Sequence, residues 1–251
     1  MFKVHHMKKY FRALFIFILT SYFLSCSKKE EDNNTPKGPC SDFSSPYVGN
    51  DGPVQMGGSL RLSASSNEQN ITFLWTGPKN FSSDLQYPVI SNISFDAGGT
   101  YYARVSNNTC LSNTSPTNVV VEAPCIISDN SGTFGSSSWD FNSLITCGIY
   151  TPGYTILASS INGDLKITFA PDYIPTNTNK IYTVDDPSTA GFDSTVVGLR
   201  ITNSSGDIFT GQNGNVYVSN YGNLSVVFCN VPFKSGTTGA TITGEAKINC
   251  H

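Results

Sequence analysis

Asp96-Ala97-Gly98-Gly99-Thr100-Tyr101-Tyr102-Ala103 is the stretch whose reading decides the fold. Two adjacent glycines mark a turn, because glycine reaches backbone conformations closed to other residues. Asn92 to Thr100 therefore reads as a turn that feeds a strand over Tyr101 to Ser106. Upstream, Leu60, Leu62 and Ala64 alternate with Ser59, Arg61 and Ser63, the period of a strand with one buried face. Ile71 to Trp75 is a further strand, and Val119 to Val121 closes the region.

The pattern continues downstream. Tyr154 to Ile161 and Leu165 to Phe169 flank Asn162-Gly163, the dipeptide favoured in a type I′ hairpin turn because both central residues need positive φ. Val216 and Val218 alternate with Tyr217 and Ser219, and a turn over Asn220 to Asn223 leads into Leu224 to Phe228. Thr195 to Thr202 and Ala240 to Ile248 add strands. No apolar period of 3.6 is sustained, so no helix of length is expected. The expectation is an all-β chain with two tandem β-sandwich domains, over 40–123 and 124–251. The short link from Val121 to Pro124 predicts a fairly stiff rod.

The first of these regions resembles the immunoglobulin sandwich. Trp75 follows the strand ending at Ala64 by 11 residues, and the quoted stretch looks like the immunoglobulin segment Asp-x-Gly-x-Tyr-x-Cys with one extra glycine. That resemblance implies a core tryptophan, a tyrosine corner at Tyr101, and Ala64 and Ala103 in the two usual cysteine positions. Trp75-Thr76-Gly77-Pro78 with Asn80-Phe81 also resembles the Ig-like and PKD-like repeats of bacterial surface proteins, in which such a domain is usually a spacer. The second region resembles uncharacterised C-terminal β-sandwich domains of Gram-negative lipoproteins, through Gly214-Asn215-Val216-Tyr217-Val218 and Leu224-Ser225-Val226-Val227-Phe228. That resemblance brings no known activity.

The first 25 residues have the three parts of an export signal. Lys8, Lys9 and Arg12 form the positive end, and Ala13 to Leu24 is an apolar core of 12 residues, short of the roughly 20 a membrane span needs. Phe23-Leu24-Ser25-Cys26 resembles a bacterial lipobox, with Phe23 where leucine is commoner. Cys26 is thus the expected lipidation site and the route to the membrane. Residues 26–39 read as a lipidated cysteine and a disordered tether, with a root-mean-square reach of about 20 Å. Lys29-Glu30-Glu31 looks like the signal that sends some Gram-negative lipoproteins to the outer face of the outer membrane.

Six cysteines remain, an even number, which in an exported chain implies three disulfides. Cys40 and Cys110 flank the first domain and are expected to pair. In the second domain the expected pairs are Cys125–Cys250, joining first and last strands, and Cys147–Cys229. No CxxC or Cys–His spacing points to a metal.

Charged residues are only 13% and aromatics 12%, which fits an extracellular β protein and not a disordered one. The export signal takes four of the fifteen basic residues and no acid. The mature part then has eleven basic against eighteen acidic residues, net −7. That balance argues against nucleic acid as a partner.

Chemistry is sparse. His5 and His6 lie in the export signal and His251 at the chain's last position, so Ser–His or Cys–His catalysis has no base on a rigid element. Paired carboxylates are the remaining route, through Glu68, Glu122, Glu245, Asp140, Asp164, Asp172, Asp185, Asp186, Asp193 or Asp207. Most of the aspartates sit beside Pro, Gly or Ser, where Asp forms turns. Asp185-Asp186 could contribute oxygen to calcium, but no DxDxDG loop is present. No cofactor and no enzymatic activity are expected. For ligand binding, Trp139 is the leading candidate, in the polar, loop-like stretch Gly135 to Asp140, followed by Tyr150, Tyr154 and Tyr221. The structural reading of Trp139, a plug at one end of the sandwich, outweighs the sugar-contact one. The expectation is a cell-surface binding or adhesion protein whose second domain meets a glycan or a surface protein. The alternative is a structural component of a surface assembly.

Overall fold

The computed structural model describes residues 40, 43–107, 109–142, 144–150, 153–170, 175, 179–185 and 194–250. The expected export signal, Cys26 and its tether lie outside the described residues, as do Asp172, Asp186, Asp193 and His251. The described residues form an all-β structure, in which Gly38–His251 is one compact unit.

The first nine strands are β1 (Tyr47–Asn50), β2 (Val54–Gln55), β3 (Leu60–Ser65), β4 (Thr72–Gly77), β5 (Phe81–Ser83), β6 (Val89–Ile90), β7 (Gly99–Ser106), β8 (Ser115–Val119) and β9 (Val121–Glu122). They build two facing sheets, β1-β3-β6 and β5-β4-β7-β8, and β2 runs parallel to β9. That is the arrangement of an immunoglobulin-like sandwich. Its core is Leu60, Leu62, Trp75, Tyr101, Val105 and neighbours. Trp75 is buried with Ala64 and Ala103, and lies opposite Ala103 across β4 and β7. Tyr101 Oη donates to the Ala97 carbonyl at 2.9 Å, which makes the tyrosine corner. With its ring fully buried, its phenol pKa is pushed up to about 12 by burial. The closing strand is split: β8 ends at Val119, and β9 resumes at Val121 to pair with β2.

The second sandwich has β10 (Ser131–Phe134), β11 (Ser137–Asp140), β12 (Leu144–Tyr150), β13 (Gly153–Ser160), β14 (Gly163–Phe169), β15 (Lys180–Val184), β16 (Val196–Asn203), β17 (Ile208–Gly211), β18 (Asn215–Asn220), β19 (Leu224–Ser235) and β20 (Thr241–Cys250). They run in the order β11-β10-β20-β19-β18-β15-β16-β14-β13-β12, with β17 bridging β16 and β19. The sheet therefore closes a ring through β15, β16, β17, β19 and β18. Long β19 makes this possible. Leu224 to Phe228 pairs with β18, a bulge follows, and Phe233 to Ser235 pairs with β17. The core between the layers holds Phe141, Phe169, Tyr182, Phe228 and Phe233. Its pattern is the period-two alternation expected of strands, as in β16 where Val197, Leu199 and Ile201 are buried and Arg200 is exposed.

Three sequence expectations change. Cys40 is bonded to Cys110, but the other pairs are Cys125–Cys229 and Cys147–Cys250, not Cys125–Cys250 and Cys147–Cys229. The reason is side-chain parity. Val226 and Phe228 point into the core, so Cys229 points out, where Cys125 lies. Cys250 and Cys147 both belong to the inward-facing set. The 161–163 hairpin also shifts. Ser160 pairs with Gly163, so the loop is Ile161-Asn162, and the positive φ of 137° falls on Gly163 at the start of β14. Third, Gly135 to Asp140 is not a loop throughout: Ser137–Asp140 is a strand paired with β10.

Candidate functional site

The two sandwiches meet through a small apolar cluster of Phe95, Ala123, Tyr217 and Val227, with Cys125 and Cys229 against it. Phe95 and Tyr217 pack edge to face at 5.2 Å. Around this cluster run three hydrogen bonds. Asn179 Nδ2 donates to the carbonyls of Phe95 at 2.8 Å and Val121 at 3.4 Å, and Tyr221 Oη donates to that of Val119 at 3.1 Å. Gly98 permits the approach: a Cβ there would lie 2.3 Å from Asn179 Nδ2 and 2.7 Å from the Tyr221 hydroxyl. Burial, with a smaller effect from Tyr101, pushes the Tyr221 phenol up to about 12. Tyr221 thus fastens the two sandwiches through its hydroxyl, while its side chain stays 40% exposed.

Beside the junction is a groove of about 490 Å³, lined by Gln55, Val120, Glu122, Ile126, Tyr221 and Lys247 among others. Gln55 donates to the Glu122 carboxylate, and Lys247 is ion-paired with Asp129 at 2.6 Å. Ile126 is 90% exposed on its rim. The groove offers aliphatic surface and tied polar groups.

Trp139 is 4% exposed. Its ring packs on Phe134 at 4.7 Å and Phe141 at 5.9 Å. The parity of β11 turns Trp139 inward while its neighbours Ser138 and Asp140 face solvent. Gly163 makes room above it, since a Cβ there would be 2.9 Å from Cη2 of the indole. Trp139 is therefore a core residue, in line with its structural reading and not with a sugar platform. A hollow of about 320 Å³ beside it is rimmed by Ser136, Ser137, Asn162 and Asn203. Tyr154 is half-buried on the inner face of β13 against Phe169, and burial raises its phenol pKa. Tyr150 ends β12; its side chain lies outside the described residues.

The carboxylates are dispersed in local roles. Glu68 accepts from Ser44 N, Asp140 from Asn142 N and Asp207 from Asn203 Nδ2. Among the described residues, no three of His, Cys, Asp and Glu stand together as a metal site. Sequence reasoning missed β12. It is the last strand of the sheet order, carries no charge in Leu144 to Tyr150, and exposes Leu144 at 55% and Ile149 at 71%. Its uncharged composition was the available signal.

No family model matches the chain, and no curated protein matches it. Among solved structures, the complex of Dpr2 Ig1-Ig2 with DIP-Theta Ig1-Ig3 is similar at 11% identity and a TM-score of 0.24, over 81% of this chain and 64% of that one. The chain thus spans less than two thirds of that protein's length. A superposition so loose says nothing of activity or partners. The immunoglobulin-like fold stands on the strand pairing, Trp75 and the Tyr101 corner.

Proposed function

We propose that the chain is an exported surface protein, lipid-anchored at Cys26 in the outer membrane, which binds a partner through its second sandwich while the immunoglobulin-like sandwich acts as spacer. The observation that supports this reading is the fastened junction. Tyr221, Asn179 and the apolar cluster under Gly98 tie spacer and terminal sandwich together, so a bound partner is held at a fixed distance and orientation. A flexible pair would lose that advantage to ordering entropy on binding. With Trp139 in the core, a protein partner fits better than a glycan stacked on that ring. Cys26→Ala should release the protein from membranes, and firm retention would sink the anchor. Crosslinking on intact cells should trap a partner on the second sandwich; crosslinks confined to the first would reverse the roles of the two.

One observation favours a second reading, a structural component of a surface assembly. The uncharged edge strand β12 has the form that a neighbouring subunit extends by adding a strand. In that case the protein would copurify with its neighbour in fixed stoichiometry, and Thr146→Pro would abolish the association.

A further inference from the structure

We infer that the outward face of β14, β16, β17 and β19 is the docking surface, and that it takes an extended, acidic segment of a partner protein. This rests on the surface-binding reading above and gives it a face and a chemistry.

The strand registers place Leu157 beside Lys166, Lys166 beside Arg200, Arg200 beside Thr210, and Thr210 beside Lys234. One row thus crosses five strands. Parity turns it outward, because the alternate residues Ile167, Leu199, Ile201 and Phe233 are buried. Lys166, Arg200 and Lys234 are all exposed. Three of the eleven basic residues of an otherwise acidic mature chain are therefore gathered in one row.

Lys166 and Arg200 are directly opposed on neighbouring strands, where like charges destabilise a sheet. Among the described residues, no carboxylate lies within 4.0 Å of any of the three cations. Asp164, opposite Thr202, and Asp185, at the end of β15, share this side of the sheet, and Asp164 makes no ion pair with the row. The repulsion has no internal counter-charge of contact range, so carboxylates from outside are its natural complement.

Spacing defines the ligand further. Strands lie about 4.8 Å apart, so Lys166 and Lys234 are about 14 Å apart along the sheet. An extended peptide of four or five residues, at about 3.3 Å each, spans that distance. Leu157 in the row and Ile208 in the next supply aliphatic contact at its margins. The row has no aromatic plane for a sugar ring to stack on, which favours an acidic peptide over an acidic polysaccharide.

The test uses the full mature chain with fluorescent poly-L-glutamate and, separately, polygalacturonate at low salt. Poly-L-glutamate should bind, and the affinity should fall as salt rises. The Lys166→Glu, Arg200→Glu, Lys234→Glu triple variant should weaken it roughly tenfold or more. Arg104→Glu, on the first sandwich, should stay within about twofold. If the triple reversal fails to fold, the corresponding glutamine variants serve, with a smaller loss in the same direction. Absence of poly-L-glutamate binding, equal loss in the Arg104 variant, or preference for polygalacturonate would each overturn the assignment. If binding is absent but a protein partner is still crosslinked on cells, this face is wrong and the surface-binding reading survives.

Discussion

Tyr221 donates its hydroxyl hydrogen to the carbonyl of Val119, a residue 102 positions earlier and at the end of the first sandwich. The bond runs beside Gly98, the point in the first sandwich with no side chain to hold the second away. Tyr221→Phe keeps the ring and removes the bond, so it should cost about 1 kcal/mol in urea unfolding. Gly98→Ala should cost more, about 1–3 kcal/mol, by forcing Asn179 and Tyr221 outward. The backbone at Gly98, φ −64° and ψ 144°, suits alanine, so the loss would report the contact alone. A Gly98→Ala protein as stable as the parent would show that the sandwiches do not need this approach.

Alkali should act on the same region. Tyr101 and Tyr221 both have phenols pushed up to about 12 in the folded chain, against 10.0 for an ordinary tyrosine. The folded state holds these protons more tightly than the unfolded one. Their contribution is thus complete below about pH 10 and is lost as pH rises toward 12. Ultraviolet titration should show a late class of tyrosines ionising together with unfolding. Tyr221→Phe should shrink that class. Complete ionisation in one step near pH 10, in folded protein, would contradict the burial of both.

Peptide mapping without reduction should recover Cys40–Cys110, Cys125–Cys229 and Cys147–Cys250. Replacing Cys147 and Cys250 together by alanine opens a link across 103 residues, and on the chain-entropy account should cost at most roughly 4–5 kcal/mol. A Cys125–Cys250 peptide would show that β19 and β20 present the opposite faces.

Those pairings show what the sequence did and did not make legible. The alternation Leu224, Val226, Phe228 was visible, and carried one step further it puts Cys229 outward; Ile248 likewise puts Cys250 inward. The expectation failed because it joined strands by their order along the chain instead of by face. The tyrosine corner was legible because its partner, Ala97, is four residues away. The junction was not, since Asn179 and Tyr221 contact backbone of Phe95, Val121 and Val119, which any sequence supplies. The cationic row was hidden for a similar reason. Lys166, Arg200 and Lys234 are remote in sequence and become neighbours only through register.

Trp139 tests the difference between a ligand platform and a core. Flanking serines made it look like part of a loop, but in a strand every second residue can be polar while the others are buried. A tryptophan enclosed by Phe134, Phe141 and Gly163 should emit at short wavelength and resist aqueous quenchers. Trp139→Ala should cost about 3–5 kcal/mol through the cavity it leaves. Trp139→Phe should recover a large part of that loss, because it keeps an aromatic contact with Phe134. A sugar-binding platform would behave in the opposite way. Its alanine variant would keep its melting temperature and lose binding, and its fluorescence would be quenched readily. Stability of the alanine variant within about 0.5 kcal/mol of the parent would move Trp139 from the core to the surface.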